Sequence, residues 1–478
     1  MKTKLRDSGQ CVCTRRGKSC VARKVMFPTS LFIAALGALA LAGCGSGSPA
    51  GAGPTGDPGT GGTPAIAARL SPSGAQAIDD GQIMNIAAIL TNDSSGKGAT
   101  WSMSGVGTLR RQTATSLADG NYAFGVSSAQ NDAWCNSSGA CGGKFAAAGV
   151  FQFAGGAVNG GALDDNSNGL LDDNSANTTW PTTAESINSG GTYSFAPNGR
   201  GTLTFTPAGS ASAVGAVLYA VSSTDALILG SDDQTLNNLF GGEMLQQIGG
   251  PFANSALSGT SIVYFSSLNQ GTPSSSNVTI GTGTTDGAGN FTAGTLWQNN
   301  SGTISSQALS GTTYSADPSG NGRVSMTGSS PQVFWMVSAN EAFMLGSSGS
   351  VESGMLEPQT STSAPTATYA FGTIHPEDLS NDDNLGVTTF SGGNVSGTTD
   401  DNSSGIITVN QTFGPSGVSV DSTGLGSIGA AGCTVGGTGS SGCPQIFYTI
   451  SSKRAVLLNL LDGQGNAQTN TALQVADQ

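Results

Sequence analysis

The residues best suited to bind a ligand in this 478-residue sequence are acidic and amide side chains in one short segment. Asp164, Asn166 and Asn168 alternate in DDNSNG, and Asp172 follows shortly afterwards. Oxygen ligands at alternate positions, followed by a turn-making glycine, are typical of calcium loops. The twelfth position of such a loop would be Ser175 rather than Glu. We interpret the segment as an Asx-rich turn between two strands, so we predict no cofactor, and a calcium site at Asp164, Asn166, Asn168 and Asp172 is the alternative.

Two pairs of cysteines could form covalent links. Cys135 and Cys141 lie in AWCNSSGACGG, and Cys433 and Cys443 lie in GCTVGGTGSSGCP. Each pair spans one loop rich in Gly and Ser, and such spacing in an exported protein favours local disulfides. A zinc site would need closer cysteine pairs or histidine partners, which these segments lack.

The sequence contains no recognisable catalytic set. His375 is the single histidine, and no G-x-S-x-G elbow accompanies it. A glycosidase needs two carboxylates at a fixed separation. The glutamates do not form matching pairs across the repeats described below: Glu185, Glu243, Glu341, Glu352, Glu357 and Glu377. Arg200 and Arg323 share an N-G-R context, which we interpret as structural. We therefore predict that the protein is not an enzyme.

Three fourteen-residue segments indicate how the chain is built. VLYAVSSTDALILG begins at Val217, VFWMVSANEAFMLG begins at Val333, and IFYTISSKRAVLLN begins at Ile446. Alternating β-branched and aromatic residues are typical of strands. A polar break of four residues precedes a second apolar run, which predicts a β-hairpin with a four-residue turn. The apolar positions keep their size while the break changes its charge, so we expect a conserved core and a variable surface.

These hairpins belong to three longer units, 120–247, 258–359 and 366–478. Each unit offers seven to nine short strands joined by Gly, Asn and Ser turns. Sequential hairpins predict antiparallel meanders that close into small up-and-down β-barrels, with β-sandwiches as the alternative. Closure would remove exposed strand edges. The predicted fold class is therefore all-β.

The N-terminal segment carries a targeting motif. A basic stretch precedes FPTSLFIAALGALALAG, and the motif LAGC ends at Cys44. This motif resembles the lipobox of bacterial lipoproteins. The resemblance implies a signal peptide over 1–43, cleavage before Cys44, a lipid on its thiol and anchoring to a membrane of the cell envelope. Gly45 after the cysteine favours the outer membrane by the same analogy. Val21 is an alternative start for the signal peptide.

Two segments separate this motif from the repeats. Residues 44–65 are rich in Gly and Pro and predict a flexible tether. Residues 66–116 contain SPSGA, a DDG turn, the loop TNDSSGKG and Trp101. This order resembles bacterial immunoglobulin-like domains of group 2, and the resemblance implies that Trp101 packs between two sheets. The segment covers a partial sandwich.

Composition limits the partners. The formal net charge is −13, and eight of the 17 Lys and Arg residues lie before Cys44, so the mature chain is more acidic still. An acidic surface repels phosphate backbones, which argues against nucleic-acid binding. We expect a lipid-anchored envelope protein for adhesion, surface display or binding of an extracellular glycan or protein. The alternatives are a carrier of small apolar ligands in the barrel lumens and an envelope polysaccharide hydrolase.

Overall fold

A computed structural model describes most of the chain downstream of residue 82. The described residues are 83–89, 104–128, 144–167, 169–172, 180–208, 210, 213–231, 240–267, 277–328, 331–347, 349, 351–374, 382–403, 406–437, 441–462, 464–469 and 471–478. The predictions that lie outside them concern residues 1–43 and 44–65, Trp101, Cys135, Cys141, Asn168, Ser175, His375 and Glu377. Within the described part, no helix is long and apolar enough to cross a membrane.

Two strands precede the repeats. β1 (Ile83–Ile89) and β2 (Ser104–Arg110) pair antiparallel, and they lie beside the first two strands of the third repeat. They form most of the described part of segment 66–116. The immunoglobulin-like resemblance stays a prediction, because Trp101 lies outside the described residues.

The first repeat is a closed barrel, which we call barrel 1. Its strands are β3 (Gly120–Ser128), β4 (Phe145–Ala154), β5 (Ala157–Ser167), β6 (Leu170–Leu171), β7 (Glu185–Ile187), β8 (Gly191–Phe195), β9 (Arg200–Phe205), β10 (Val214–Ser222), β11 (Asp225–Gly230) and β12 (Gly241–Gln246). β3 pairs with β4 and β12, while β5 pairs with β4 and β8, so eight strands form a ring. β6 and β7 are short additions to β5.

The second repeat, barrel 2, contains nine strands and stays open. After a 3-10 turn (Asn254–Ala256), its strands are β13 (Ser258–Ser267), β14 (Asn277–Asp286), β15 (Phe291–Asn300), β16 (Thr303–Ala308), β17 (Tyr314–Ala316), β18 (Arg323–Met326), β19 (Gln332–Ser338), β20 (Glu341–Gly346) and β21 (Glu352–Pro358). The sheet runs from β16 through β13 and β21 to β17. Among these described strands, β16 and β17 form no ladder with each other. The chain just before β15 bonds to the beginning of β17, with Tyr314 N–H donating to the Gly289 carbonyl at 2.8 Å, so the remaining seam lies between β16 and the end of β18.

The third repeat, barrel 3, closes with eight strands. They are β22 (Thr368–Thr373), β23 (Asp382–Ser391), β24 (Asn394–Ser403), β25 (Ile406–Val420), β26 (Leu425–Gly429), β27 (Gln445–Ser451), β28 (Arg454–Asn459) and β29 (Leu473–Asp477). The three antiparallel meanders confirm the all-β prediction, with closed barrels in the first and third repeats.

Side chains fill the lumens of the closed barrels. Barrel 1 holds a cluster that includes Tyr122, Phe124, Phe151, Phe153 and Phe205, and barrel 3 holds one that includes Tyr369, Phe371, Phe390, Phe447 and Leu457. Some of these side chains lie directly against the backbone of neighbouring strands. A Cβ added to Gly426 would lie 2.0 Å from the Phe447 ring, so glycine leaves the room that this ring occupies.

The three repeated segments form the hairpins β10–β11, β19–β20 and β27–β28, as predicted. Their turns are shorter than the predicted four residues. Ser222 pairs with Asp225, so two residues remain in the first turn, and the other two hairpins close at the equivalent positions. A register shift just before each closing pair accommodates the extra residue of the first strand.

The aromatic residues that alternate along the second and third of these hairpins are buried, but they lie on the outer side of the barrel wall. Trp335 of β19 and Tyr448 of β27 point outward and pack against a neighbouring barrel. The residues between them in sequence, such as Phe334 and Phe447, fill the lumens. Both sides of these strands are apolar because each strand lies between a lumen and a neighbouring barrel.

Candidate functional site

The barrels contact one another through two repeated surfaces. We call the outer surface of a barrel's first two strands its entry face, and the outer surface of its repeated hairpin its hairpin face. The entry face of barrel 1 (β3 and β4) packs on the hairpin face of barrel 2 (β19 and β20). The entry face of barrel 2 (β13 and β14) packs on the hairpin face of barrel 3 (β27 and β28). The two interfaces therefore use the same elements in the same direction.

One asparagine position links both interfaces. The Asn166 side-chain NH2 donates to the carbonyl of Gly346 at 2.8 Å, while its Oδ1 accepts from the Gly169 N–H at 2.7 Å. In the next repeat, Asn299 donates to the carbonyl of Asn459 at 3.0 Å and accepts from a glycine N–H at 2.9 Å. Each asparagine closes its own turn and holds the last residue of the next barrel's hairpin.

The structure places Asp164 in a buried ion pair. The Arg323 guanidinium donates to both carboxylate oxygens, with Nη2 2.7 Å from Oδ1 and Nε 2.8 Å from Oδ2. Trp335 Nε1 donates to Oδ2 at 2.8 Å. Burial raises the pKa of the Asp164 carboxyl, and the bonds from Arg323 oppose that rise. Both oxygens of the first predicted calcium ligand thus face a cation supplied by barrel 2.

Two further predicted calcium ligands, Asn166 and Asp172, form hydrogen bonds within the protein. Asn166 forms the bonds just described, and Asp172 Oδ1 accepts from the Asp165 N–H at 3.1 Å. Burial, followed by the nearby Asp164, raises the pKa of Asp172 to about 8. Within the described ranges, no group of three or more His, Cys, Asp and Glu side chains could hold a metal ion. Because Asn168 lies outside those ranges, the calcium site stays a prediction.

Of the two predicted disulfides, the described residues contain one. Cys433 and Cys443 are bonded across the β26–β27 connection, with their Cα atoms 5.0 Å apart. Cys443 is fully buried. The bond therefore fixes the connection between β26 and β27 at one end of barrel 3.

The hairpin face of barrel 1 differs from its two counterparts. Tyr219 is 46% exposed and Leu229 is 52% exposed, whereas the equivalents of Tyr219 in the other repeats, Trp335 and Tyr448, are 0% and 1% exposed. Within the described part of the chain, no barrel packs on this face as the other barrels pack on theirs.

This face lines a cleft of about 430 Å³ that all three barrels border. The apolar residues along the cleft include Tyr219, Leu227, Leu229, Met355, Ile374 and Val475. Ligand pockets in proteins are mostly apolar clefts of roughly 300–1,000 Å³ with a few convergent polar groups. The cleft has the size and the apolar lining of such a site.

Two arginines provide the convergent polar groups. Arg110 pairs with Glu243 at 2.6 Å and with Asp225 at 3.1 Å. Arg454 pairs with Asp477 at 2.9 Å and with Glu357 at 3.2 Å. Each arginine is shared by two carboxylates, and one carboxylate of each set, Glu243 and Asp477, also lines the cleft next to its apolar wall.

Burial shifts the pKa values of the ionisable groups in this cluster. It raises the pKa of Asp225 and of Asp477, and their paired arginines partly oppose the rise. The Tyr264 hydroxyl donates to Glu357, and burial together with that carboxylate raises the pKa of Tyr264 well above its ordinary value. Perturbed ionisable groups that converge in a cleft mark candidate binding sites.

Sequence reasoning missed this cluster, although the repeats contained a signal for it. Asp225, Glu341 and Arg454 occupy the ninth position of the three aligned segments. We predicted a variable surface there. In the structure Asp225 and Arg454 form the ion pairs, and burial raises the pKa of Glu341, which also accepts from Ser338 at 2.7 Å. A position that is charged in every copy is the feature that could have indicated the cluster.

Comparison with known proteins assigns the chain to no family. No protein-family model matches the chain, and no curated protein matches its sequence.

Proposed function

We propose that the protein is a lipid-anchored, non-enzymatic binding protein of the cell envelope. The motif at Cys44 and the Gly/Pro-rich segment 44–65 support the anchor and its spacer. Of the expected roles in adhesion, display and binding, the cleft favours binding. The single observation that carries this choice is the exposed hairpin face of barrel 1, which forms one wall of the cleft.

For the alternative of an apolar-ligand carrier, we now propose that the ligand binds in the cleft and not in the barrel lumens. The lumens of barrels 1 and 3 are packed with aromatic side chains, which supports a ligand site outside them. The cleft offers an apolar wall with Tyr219 and Leu229 beside the carboxylates Glu243 and Asp477, which pair with Arg110 and Arg454. The matching ligand is a small molecule with an apolar body and a neutral or cationic hydrogen-bonding group.

A fluorescent apolar amine tests the proposal. We would titrate the exported chain, with Cys44→Ser to omit the lipid, with N-phenyl-1-naphthylamine and follow the dye emission. We expect saturable binding that Leu229→Gln weakens by roughly tenfold, because a polar side chain would enter the apolar wall. The matched control is Val409→Gln, since Val409 is 58% exposed and lies outside the cleft lining.

Two outcomes would contradict the proposal. One is the absence of saturable dye binding, and the other is equal binding by the Leu229→Gln and Val409→Gln variants. Hydrolysis of an envelope polysaccharide by the same preparation, abolished by Glu243→Gln, would instead favour the hydrolase alternative.

A further inference from the structure

The seam of barrel 2 leads to a second pocket, separate from the cleft. The pocket has a volume of about 200 Å³, and both sides of the seam contribute to it. Ser305 and Gln307 of β16 line one side, while Thr327 and Gly328 after β18 line the other. We call this space the seam pocket. It reaches the inside of the barrel, because Phe265 and Met326 of the lumen cluster also line it.

Strand periodicity explains why this end of the lumen is polar. Side chains two residues apart lie on the same side of a strand. Thr279, Gln298 and Gln332 therefore share the inner side with neighbouring lumen residues, and all three line the pocket. Glu352 reaches the same space from β21. The lumen of barrel 2 thus has one apolar end and one polar end.

Buried polar atoms without partners point to a ligand. Thr279 is 2% exposed, and among the described residues its hydroxyl has no hydrogen-bond partner. Asn277 lies two residues earlier, on the same side of β14, and its buried Oδ1 has no partner within the described part of the chain either. A buried polar group without a hydrogen bond costs about 1–3 kcal/mol. A polar molecule in the pocket would remove this cost at Thr279.

We propose that the seam pocket binds a small neutral molecule with several hydroxyl groups, of the monosaccharide or cyclitol class. None of the lining residues is Lys, Arg or His, so the pocket offers no cation for an anionic ligand. Glutamine amides and Thr or Ser hydroxyls both donate and accept hydrogen bonds, as the hydroxyl groups of such a ligand do. The Phe265 ring supplies an apolar surface for the C–H side of a sugar ring.

The size of the pocket agrees with this class. A volume of 200 Å³ corresponds to about six or seven molecules of liquid water. Pockets for drug-sized molecules start at roughly 300 Å³. The seam pocket therefore has room for one sugar or cyclitol ring.

Saturation-transfer-difference NMR on the exported chain with Cys44→Ser tests the proposal. The probes are glucose, galactose, mannose and myo-inositol, and glucosamine is added as a cationic probe. We expect at least one neutral probe to bind saturably. Thr279→Val removes the unpartnered hydroxyl with little change of shape and should weaken binding by about fivefold, the value of one hydrogen bond.

A second pair of variants separates binding from folding. Gln307 is exposed at the rim of the pocket, so Gln307→Ala should weaken binding without unfolding the barrel. Ser306 lies next to it, is exposed and does not line the pocket, so Ser306→Ala should bind as the unmodified chain does.

Three results would overturn the proposal. They are no binding of any neutral probe, binding that both Thr279→Val and Gln307→Ala leave unchanged, and a clear preference for glucosamine over glucose. The last result would show that the Glu352 carboxylate selects a cation. Dye binding in the cleft is measured separately, so either proposal can fail without the other.

Discussion

Two aligned positions of the repeat hold an ion pair at one interface between barrels and apolar residues at the other. Asp164 and Arg323 form an ion pair between barrels 1 and 2, with side chains 0% and 2% exposed. The aligned positions between barrels 2 and 3 hold Trp297 and Leu425, which pack in an apolar cluster. A buried ion pair can often be replaced by apolar residues at little cost, because its own desolvation is expensive. The second interface shows that this fold accepts the replacement.

Asp164→Asn should destabilise the protein strongly. The substitution leaves the Arg323 guanidinium buried without a counter-ion, which costs about 3–5 kcal/mol in similar cases. Replacing both residues, with Asp164→Leu and Arg323→Leu, should recover most of the loss. The measurement is urea unfolding followed by tryptophan fluorescence, since Trp335 bonds to Asp164. A double variant no more stable than Asp164→Asn would contradict this interpretation.

At the element scale, a turn and an interface depend on the same side chain. Asn299 is fully buried, and its NH2 donates to the carbonyls of Asn459 and Gln468 at 3.0 and 2.9 Å. Its Oδ1 also accepts from the Gly302 N–H. The turn after β15 is therefore tied to two segments of barrel 3, so a local Asx turn also determines how two barrels pack.

Asn299→Ala and Asn299→Asp separate these two roles. Alanine loses all three bonds and should cost roughly 2–3 kcal/mol in the free energy of unfolding. Aspartate keeps the turn bond but brings a carboxylate against two carbonyl oxygens. We expect aspartate to be the more harmful change in urea unfolding if the tie to barrel 3 dominates. The neighbouring exposed Asn300→Ala is the control. A milder effect of aspartate would mean that the turn dominates.

The sequence contained enough information to predict the elements but not how they face one another. Alternating residues around Trp335 and Tyr448 predicted strands, and repetition predicted three similar modules. The side of each strand could not be assigned, because Phe334 and Trp335 are both apolar and periodicity does not distinguish a lumen from an interface. The partner of Asp164 lies 159 residues away, beyond any local pattern. The cleft is unpredictable for the same reason, since three barrels contribute to it.

At the scale of the whole molecule, the chain joins similar modules through one repeated contact. Each successive pair buries an entry face on a hairpin face. Such a head-to-tail contact leaves one hairpin face uncovered among the three described barrels. The uncovered hairpin face is that of barrel 1. That leftover face, with Tyr219 and Leu229, is the surface that lines the cleft. The proposed binding site is thus formed by the hairpin face that no other barrel of the described chain covers.

The same packing predicts that the third unit, residues 366–478, does not stay monomeric alone. Its hairpin face carries Ile446, Tyr448 and Ile450, which are buried against barrel 2. Exposed apolar patches of this kind promote association. Size-exclusion chromatography with light scattering should show self-association of the isolated unit. Adding residues 66–359 as a separate chain should convert it to a one-to-one complex.

A matched variant tests the cause of that association. Ile446→Thr with Ile450→Thr keeps β-branched strand residues but reduces the apolar surface, so it should yield a monomeric third unit. The barrel itself should remain folded, because its lumen is filled by Phe447 and other residues that the variant leaves in place. A monomeric unmodified unit, or a variant that still associates, would show that the hairpin face is not what holds barrel 3 to barrel 2.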